Sequence, residues 1–408
     1  MKIAMIGPFG LQPKATLKSR ALPMAKALVA RGHSVTLLIP PWDYPADAGR
    51  EWEEEKVHII NLLLPPRWPL VFHVLLAVRL VRRALDLKPD VIHFFKPKAY
   101  SGLTHFFVWW LRRGGWASKS ISPQVRLVVD EDDWEQAWNS VEAYSPIQRR
   151  FFTWQERWGL THADAVVVAS RTLAGLVQEL GVSAERTFYV PNGMGVSPAP
   201  AGEQPDADQD PAEAAQIVRM LWELDGFSVV MLYTRFVEFR LERVVDVLRQ
   251  VVAREPQTKL LVVGEGLFGE ESSLDDMLQS AGLSEHAVFT GWVEAGHLSS
   301  YFAACDVAIF PFDDTLINRT KCSAKLTDLL AAGLPVVADA VGQNLEYIVD
   351  GESGLLIPPG DNVAFAEGVV RLLADPGLRA RLGMAAARRM RERFAWPNLA
   401  REVERAYQ

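Results

Sequence analysis

Residues able to do chemistry recur at strand-like and helix-like boundaries of this 408-residue chain. Lys325 and Asp328 stand three apart in Ser323-Ala-Lys-Leu-Thr-Asp328 and therefore share one helical face. Such a pair is either a surface ion pair or part of a site. Here it precedes Gly333-Leu334-Pro335 and an apolar run, and a carboxylate at that place can accept both hydroxyls of a ribose. Arg235 and Arg240 follow a second apolar run, 229–233. Alone, two arginines at a helix entrance read as solvated. In the first half, Asp130, Asp132 and Asp133 lie within four residues. Like charges so close raise at least one carboxyl pKa, whether they form a solvated loop, line a site or hold a metal as Asp-x-Asp. Lys14, Lys18 and Arg20 flank the start of the first helical pattern. They meet either solvent or an anionic acceptor.

The elements that position these residues alternate. Apolar runs at 2–6, 34–39, 57–63, 91–95, 125–129, 165–169 and 187–190 read as strands. They are nearly continuously apolar, which fits parallel strands covered on both faces. Amphipathic segments lie between them, the first ended by Gly32. At 198–212 proline, acid and small residues predominate without a large apolar side chain, the composition of a linker or mobile loop. Alternation then resumes, with strands expected at 229–233, 259–263, 288–290, 307–310 and 335–338. The pattern predicts an α/β protein with two Rossmann-like domains facing across a cleft. The boundaries are 1–197 and 198–393, the second beginning with the linker at 198–212.

Composition narrows the function classes. Hydrophobic residues make up 49% and charged residues 23%, which excludes disorder and low complexity for most of the chain. Two cysteines cannot build a disulfide framework, and no Cys/His cluster has zinc spacing. This usage suits a reducing cytoplasm. The start, Met1-Lys-Ile-Ala-Met-Ile-Gly7, reads as a buried strand rather than a signal peptide. The net charge of −7 divides into +6 over residues 1–195 and −13 over the rest, and 10 of 13 tryptophans lie in the basic part. The segments 70–87 and 103–116 mix aromatics with Arg79, Arg82, Arg83, Arg112 and Arg113. Neither has the roughly 20 apolar residues needed to span a bilayer. They read either as sheet-covering helices or as contacts to anionic lipid, with Trp109, Trp110 and Trp116 at the interface.

The block 318–338, continued by Gly342-Gln-Asn-Leu-Glu346 and 350–361, resembles the nucleotide-sugar site of retaining GT-B glycosyltransferases of the bacterial mannosyl- and glucosyltransferase type, group 1 of family four. The resemblance extends over nearly the whole chain, is clearest at 229–395, and implies that a C-terminal helix at 394–408 rejoins the first domain. It implies that Asp328 holds the nucleotide ribose, with Lys325 beside it in the Ser-x-Lys-Leu-x-x-Asp form. The family's first acid, which touches the donor sugar, falls at Thr320, a departure. Arg235 and Arg240 match the cations that bind the donor diphosphate, with Thr234 in place of a usual Gly and Arg240 in place of a usual Lys. Fixed cations there stabilise the charge that grows on a leaving nucleoside diphosphate. Gly264, Gly266 and Thr290 fall in loops that the family places near the base, and Gly10 in its loop near donor phosphates and acceptor. Asp132 takes the place of a usual cleft histidine, a second departure, with Asp130 and Asp133 beside it.

The implied activity is transfer of a sugar from a nucleoside-diphosphate sugar to a hydroxyl of a glycan or lipid-linked acceptor, with retention. The implied catalytic set is Asp132, Arg235 and Arg240. Lys14, Lys18, Arg20, Asp130 and Asp133 are the acceptor candidates. No metal, other cofactor or nucleic-acid partner is expected. The expected location is the cytoplasm, with peripheral contact to the inner face of the membrane. Two alternatives stay open: a nucleotide-sugar epimerase of the same fold and, from the missing histidine and Thr320, a nucleotide-sugar-binding protein without catalysis.

Overall fold

The computed structural model describes residues 1–12, 16–68, 71–114, 122, 124–139, 141–142, 144–194 and 210–408. Lys14, Trp116 and residues 198–209 of the expected linker lie outside them. The chain forms two compact units. The first comprises Met1–Gly193, Thr320–Cys322 and Trp396–Gln408, and the second Met194–Arg319 and Ser323–Ala395.

The first unit carries β1 (Lys2–Ile6), α1 (Leu22–Ala30), β2 (Ser34–Ile39), β3 (Glu51–Glu54), β4 (Val57–Asn61), α2 (Val71–Asp86), β5 (Val91–Phe95), α3 (Ala99–Arg113), β6 (Arg126–Glu131), α4 (Glu135–Trp138), α5 (Pro146–His162), β7 (Ala165–Val168), α6 (Arg171–Glu179) and β8 (Thr187–Tyr189). The sheet order is β3-β4-β2-β1-β5-β6-β7-β8. Every pairing is parallel except that of β3 with β4. The apolar pattern does not foretell β3, because Glu51-Trp-Glu-Glu54 is a polar edge strand. Ahead of α1 the backbone winds one wide turn over Leu17–Ala21, with the Leu22 N–H donating to the Leu17 carbonyl. Such π-turns concentrate at functional sites. A reciprocal cap starts α5: Ser145 Oγ accepts from the Gln148 N–H, and the Gln148 side chain accepts from the Ser145 N–H.

The second unit carries α7 (Pro211–Leu221), β9 (Ser228–Tyr233), α8 (Leu241–Val252), β10 (Thr258–Val263), α9 (Glu270–Ser280), β11 (Ala287–Gly291), α10 (Leu298–Ala303), β12 (Val307–Phe310), α11 (Leu316–Thr320), α12 (Ala324–Ala331), β13 (Val336–Asp339), α13 (Asn344–Tyr347), β14 (Leu355–Ile357), α14 (Asn362–Ala374) and α15 (Pro376–Arg393). Its six strands are all parallel, ordered β11-β10-β9-β12-β13-β14. The linker expected to run to 212 is shorter at its end: Asp210 caps α7 by accepting from the Ala212 N–H at 3.0 Å. Helices α12 and α15 approach closely through glycine, since a Cβ at Gly383 would lie 2.0 Å from the Gly333 carbonyl oxygen.

After the second unit the chain adds α16 (Trp396–Ala406) to the first. Trp396, Leu399, Ala400 and Val403 are buried in the same core as β1, β2 and α1. The second unit has its own core, built on β9, β10, β12, α8 and α14.

Candidate functional site

Parallel strands deliver their carboxyl ends to one edge of a sheet, and open α/β sheets bind ligands there. In the second unit β9 ends at Tyr233 and leads into Thr234 and Arg235, β10 leads into Gly264-Glu-Gly266, and β11 leads into Trp292. Two of these loops touch at Gly264. Its φ is +122°, and a Cβ would meet the Thr234 carbonyl oxygen at 2.1 Å, so only glycine fits. The Trp292 N–H donates to Glu265 Oε1 at 3.2 Å. The Arg235 guanidinium lies 5.4 Å from the Trp292 ring centre. Arg235 is half-buried and has no carboxylate partner among the described residues. Arg243 differs: it is buried and bound by Asp339 and Asp313. The Gly266 N–H is already held by Glu271 Oε2 at 2.8 Å.

Arg240 sits at the cap position directly before α8. Its N–H donates to Asp313 Oδ2 at 2.9 Å, and its side chain is 78% exposed with Nε 3.7 Å from that carboxylate. Helix α12 presents Lys325 and Asp328. The Lys325 ammonium lies 5.8 Å from the Tyr233 ring centre. Burial raises the Tyr233 phenol, the Asp328 charge adds to that, and Arg235 opposes it. The protein around Asp328 restricts its hydration and raises its carboxyl pKa to about 7, while Lys325 pulls it down. Solvent still reaches the Asp328 side chain.

Two donor candidates are placed otherwise than the spacing suggests. Thr320 is fully buried at the end of α11, and it clusters with the first unit although the rest of α11 belongs to the second. Thr290 lies within β11 with Oγ1 3.3 Å from the Val262 carbonyl and 3.1 Å from the Gly291 carbonyl, a tie between neighbouring strands.

At the strand ends of the first unit, Gly10 is buried and its N–H donates to Asp43 Oδ1 at 3.1 Å. Lys18 is exposed. Arg20 and Asp130 are not surface contacts for an acceptor. Both are buried, and they form a two-pronged ion pair at 2.7 and 2.9 Å. Arg20 also donates to Asn192 Oδ1 and the Val190 carbonyl. His93 bridges Asp130 and Tyr407, which ties α16 to the sheet. The Arg20 charge holds the Asp130 carboxyl below its ordinary value against the effect of burial.

Asp132 and Asp133 lie beside this pair, gathered by a residue the sequence reading passed over. Lys96 Nζ is 3.0 Å from each of Asp132 Oδ1, Asp133 Oδ2 and Glu135 Oε1. Lys98 holds the other oxygen of Glu135 at 2.7 Å. Burial lifts the Asp132 carboxyl to about 6 against the pull of Lys96, and Asp133 adds to the rise. Burial raises the carboxyls of Glu131 and Glu156; the charges of Glu156 and Glu135 add to the rise of Glu131, and that of Glu135 lifts Glu156 to about 8. Crowding of acids was legible; the balancing cations were not weighed. Their signal was present as Lys96-Pro-Lys98 directly after the apolar run of β5. Tyr233 and Trp292 were passed over likewise, each the first residue or last residue at a strand end. Among the described residues no group of three or more His, Cys, Asp or Glu is arranged to hold a metal ion.

Residues 17–193 match the family described as Glycosyl transferase 4-like domain, and residues 228–375 match Glycosyl transferases group 1. Phosphatidyl-myo-inositol mannosyltransferase of Mycobacterium leprae is 26% identical across 100% of this chain and 96% of its own length. GDP-mannose-dependent alpha-(1-6)-phosphatidylinositol monomannoside mannosyltransferase of Mycolicibacterium smegmatis is 27% identical across 90% of this chain and 88% of its own. Two solved structures share the fold. Sucrose-phosphate synthase from Thermosynechococcus elongatus has a TM-score of 0.71 at 21% identity, covering 100% of this chain and 98% of that one. The catalytic domain of starch synthase IV from Arabidopsis thaliana, bound to ADP and acarbose, has a TM-score of 0.73 at 15% identity, with coverage of 100% and 98%. With one model matching each half and two parallel-sheet α/β units of the GT-B type, the chain belongs to the group 1 glycosyltransferases with a 4-like N-terminal domain.

Proposed function

We propose that the protein moves a sugar from a nucleoside-diphosphate sugar to a hydroxyl of a glycan or lipid-linked acceptor, with retention of anomeric configuration. The observation that carries this reading is the grouping of Arg235, Lys325 and Asp328 around Tyr233 on the second unit. Arg235, unpaired with any described carboxylate, suits a diphosphate, with Arg240 as an exposed second cation. Asp328 suits the ribose hydroxyls. The glycine-bounded turn at 264–266 allows close backbone approach by a base. Relatives whose names specify phosphatidylinositol-type acceptors support a lipid-linked hydroxyl as the acceptor.

The chemistry follows from where charge develops. As the sugar–oxygen bond breaks, negative charge grows on the leaving diphosphate, and a fixed guanidinium stabilises it more in the transition state than in the ground state. Retention follows if the acceptor hydroxyl attacks from the face the diphosphate leaves, with a donor phosphate oxygen taking its proton. Asp132, held by Lys96, would orient the acceptor hydroxyl on the first unit, with Asp133 alongside. Few protein bases are then required. The burial of Thr320, where the resemblance places an acid on the donor sugar, favours a second reading: a nucleotide-sugar-binding protein without transfer. The test is a panel of UDP-, GDP- and ADP-sugars screened by thermal shift, then incubated with phosphoinositide and glycan acceptors. Release of nucleoside diphosphate and an α-linked product from an α-linked donor are expected. Tight binding without transfer to any acceptor would support the second reading.

A further inference from the structure

Helices α2, α3 and α5 lie side by side on the first unit, α2 against α3 and α3 against α5. A helix covering a sheet ordinarily keeps its outer face polar. These three do not. Helix α2 turns Val71, Val74, Leu75 and Val78 to solvent. On α3, Phe107 and Trp110 are exposed, the latter by 55%. On α5, Ile147 is 82% exposed, and Phe151 and Trp154 continue its stripe at helical spacing. The aromatics are contiguous: Phe106 of α3 contacts both Trp110 and Trp154, and Trp154 stacks on Phe151.

Cations border this face and acids are missing from it. Arg82, Arg113, Arg150 and Arg157 are exposed, and none has a carboxylate partner among the described residues. Helix α3 contains no acid, the single acid of α5 is the buried Glu156, and α2 carries only Asp86 at its end. Three other arginines expected to meet lipid are engaged instead, Arg79 by donating to the Leu63 carbonyl at 2.6 Å. Arg112 forms a two-pronged pair with Asp164, and Arg83 binds Glu51.

We infer that the outer face of α2, α3 and α5 is a peripheral docking surface for an anionic lipid bilayer. Tryptophan and arginine both place an apolar body beside a polar head, which suits the headgroup boundary. An apolar face bordered by unpaired arginines complements a layer of acyl chains beneath phosphate groups. Helix α5 is central to it, with Ile147, Arg150, Phe151, Trp154 and Arg157 on one stripe. The inference rests on this face alone and is independent of the donor assignment.

Flotation of the full chain with vesicles tests it. Phosphatidylcholine vesicles are compared with vesicles containing phosphatidylglycerol, at low and high salt. Binding to the anionic vesicles at low salt is expected, weakened by salt. Arg150→Glu/Arg157→Glu should lower it at least about ten-fold, while Arg381→Glu/Arg388→Glu on the second unit leaves it unchanged. Ile147→Asp, at a site exposed enough to spare the fold, should weaken it as well. No binding to anionic vesicles overturns the inference. So does equal binding to both vesicle types that survives the double reversal. Concentration-dependent dimerisation without vesicles, abolished by Ile147→Asp, would assign the face to a second copy of the chain and overturn it too.

Discussion

Replacing Asp328 by asparagine or alanine probes the proposed ribose contact and its charge together. A carboxylate accepting two ribose hydroxyls makes two charge-assisted hydrogen bonds, each contributing on the order of 1.5–3 kcal/mol when shielded from water. Solvent reaches the Asp328 side chain, so the low end applies. We expect Asp328→Ala to lose about 2–3 kcal/mol of nucleoside-diphosphate binding, roughly 30- to 150-fold in Kd. The pH dependence adds a second readout. The surrounding protein raises the Asp328 carboxyl to about 7, and ribose hydroxyl donors favour its ionised form. Affinity should therefore rise with pH through that range and level off above it. The terminal phosphate of the nucleotide also titrates near pH 6, as phosphate esters do. The contrast between wild type and Asp328→Asn isolates the side chain, because asparagine cannot titrate. Calorimetric titration of UDP, GDP and ADP from about pH 5.5 to 8.5 (about one and a half pH units either side of the expected midpoint) supplies both readouts. Unchanged affinity in Asp328→Ala, or an identical pH slope in Asp328→Asn, would remove Asp328 from the site.

Other perturbations follow from the buried charges of the first unit. Asp130→Ala strands the Arg20 guanidinium in the core and should destabilise the fold by about 3–5 kcal/mol in urea melts, with Arg20→Met/Asp130→Leu milder; a loss under about 1 kcal/mol would contradict the buried network. His105 is buried between Phe94 and Trp158 with neither ring nitrogen partnered among the described residues, and burial, then the Arg112 charge, lowers it to about 3. The unfolded chain binds that proton near pH 6.5, so between these values the unfolded state holds more protons and stability falls as pH drops. His105→Phe should then retain its melting temperature better than wild type from pH 7 to pH 4 (a window spanning most of that range); parallel acid losses in both proteins would show that His105 is not the sensitive group. Arg240→Lys should change donor turnover less than Arg240→Ala, since the charge survives while the planar fork does not; equal effects in steady-state kinetics would mean that the fork, not the charge, matters.

Much of the fold was legible because parallel strands covered on both faces are written as plain apolar runs. The run 91–95 became β5 and 307–310 became β12 with the same limits. Two of the four edge strands were not legible, since β3 is polar and β14 is only three residues long, whereas the apolar runs of the edges β8 and β11 were. Within the site, positions that take their meaning from a strand end were readable: Arg235 after β9, Gly264 after β10, Asp328 one helix before β13. Burial could not be read from spacing. Arg20, Asp130 and Lys18 look alike as charges near loops, but long-range packing buries the first two and leaves Lys18 in solvent. The clasp of Lys96 on Asp132, Asp133 and Glu135 joins residues 36 to 39 positions apart, a contact that only the β5–β6 pairing brings about.

The most direct test of the donor assignment is titration of UDP, GDP and ADP into the wild-type chain and into Arg235→Ala, read by calorimetry and thermal shift. A ligand that binds the native state at 100 times its Kd raises stability by about 2.7 kcal/mol, which either method detects. The account predicts that at least one nucleotide binds the wild type. It predicts that Arg235→Ala weakens this binding at least about ten-fold, the loss of one charge-assisted contact, with the apo melting temperature unchanged. Full affinity in Arg235→Ala would place the diphosphate elsewhere and contradict the assignment of the second unit's strand ends as the donor site.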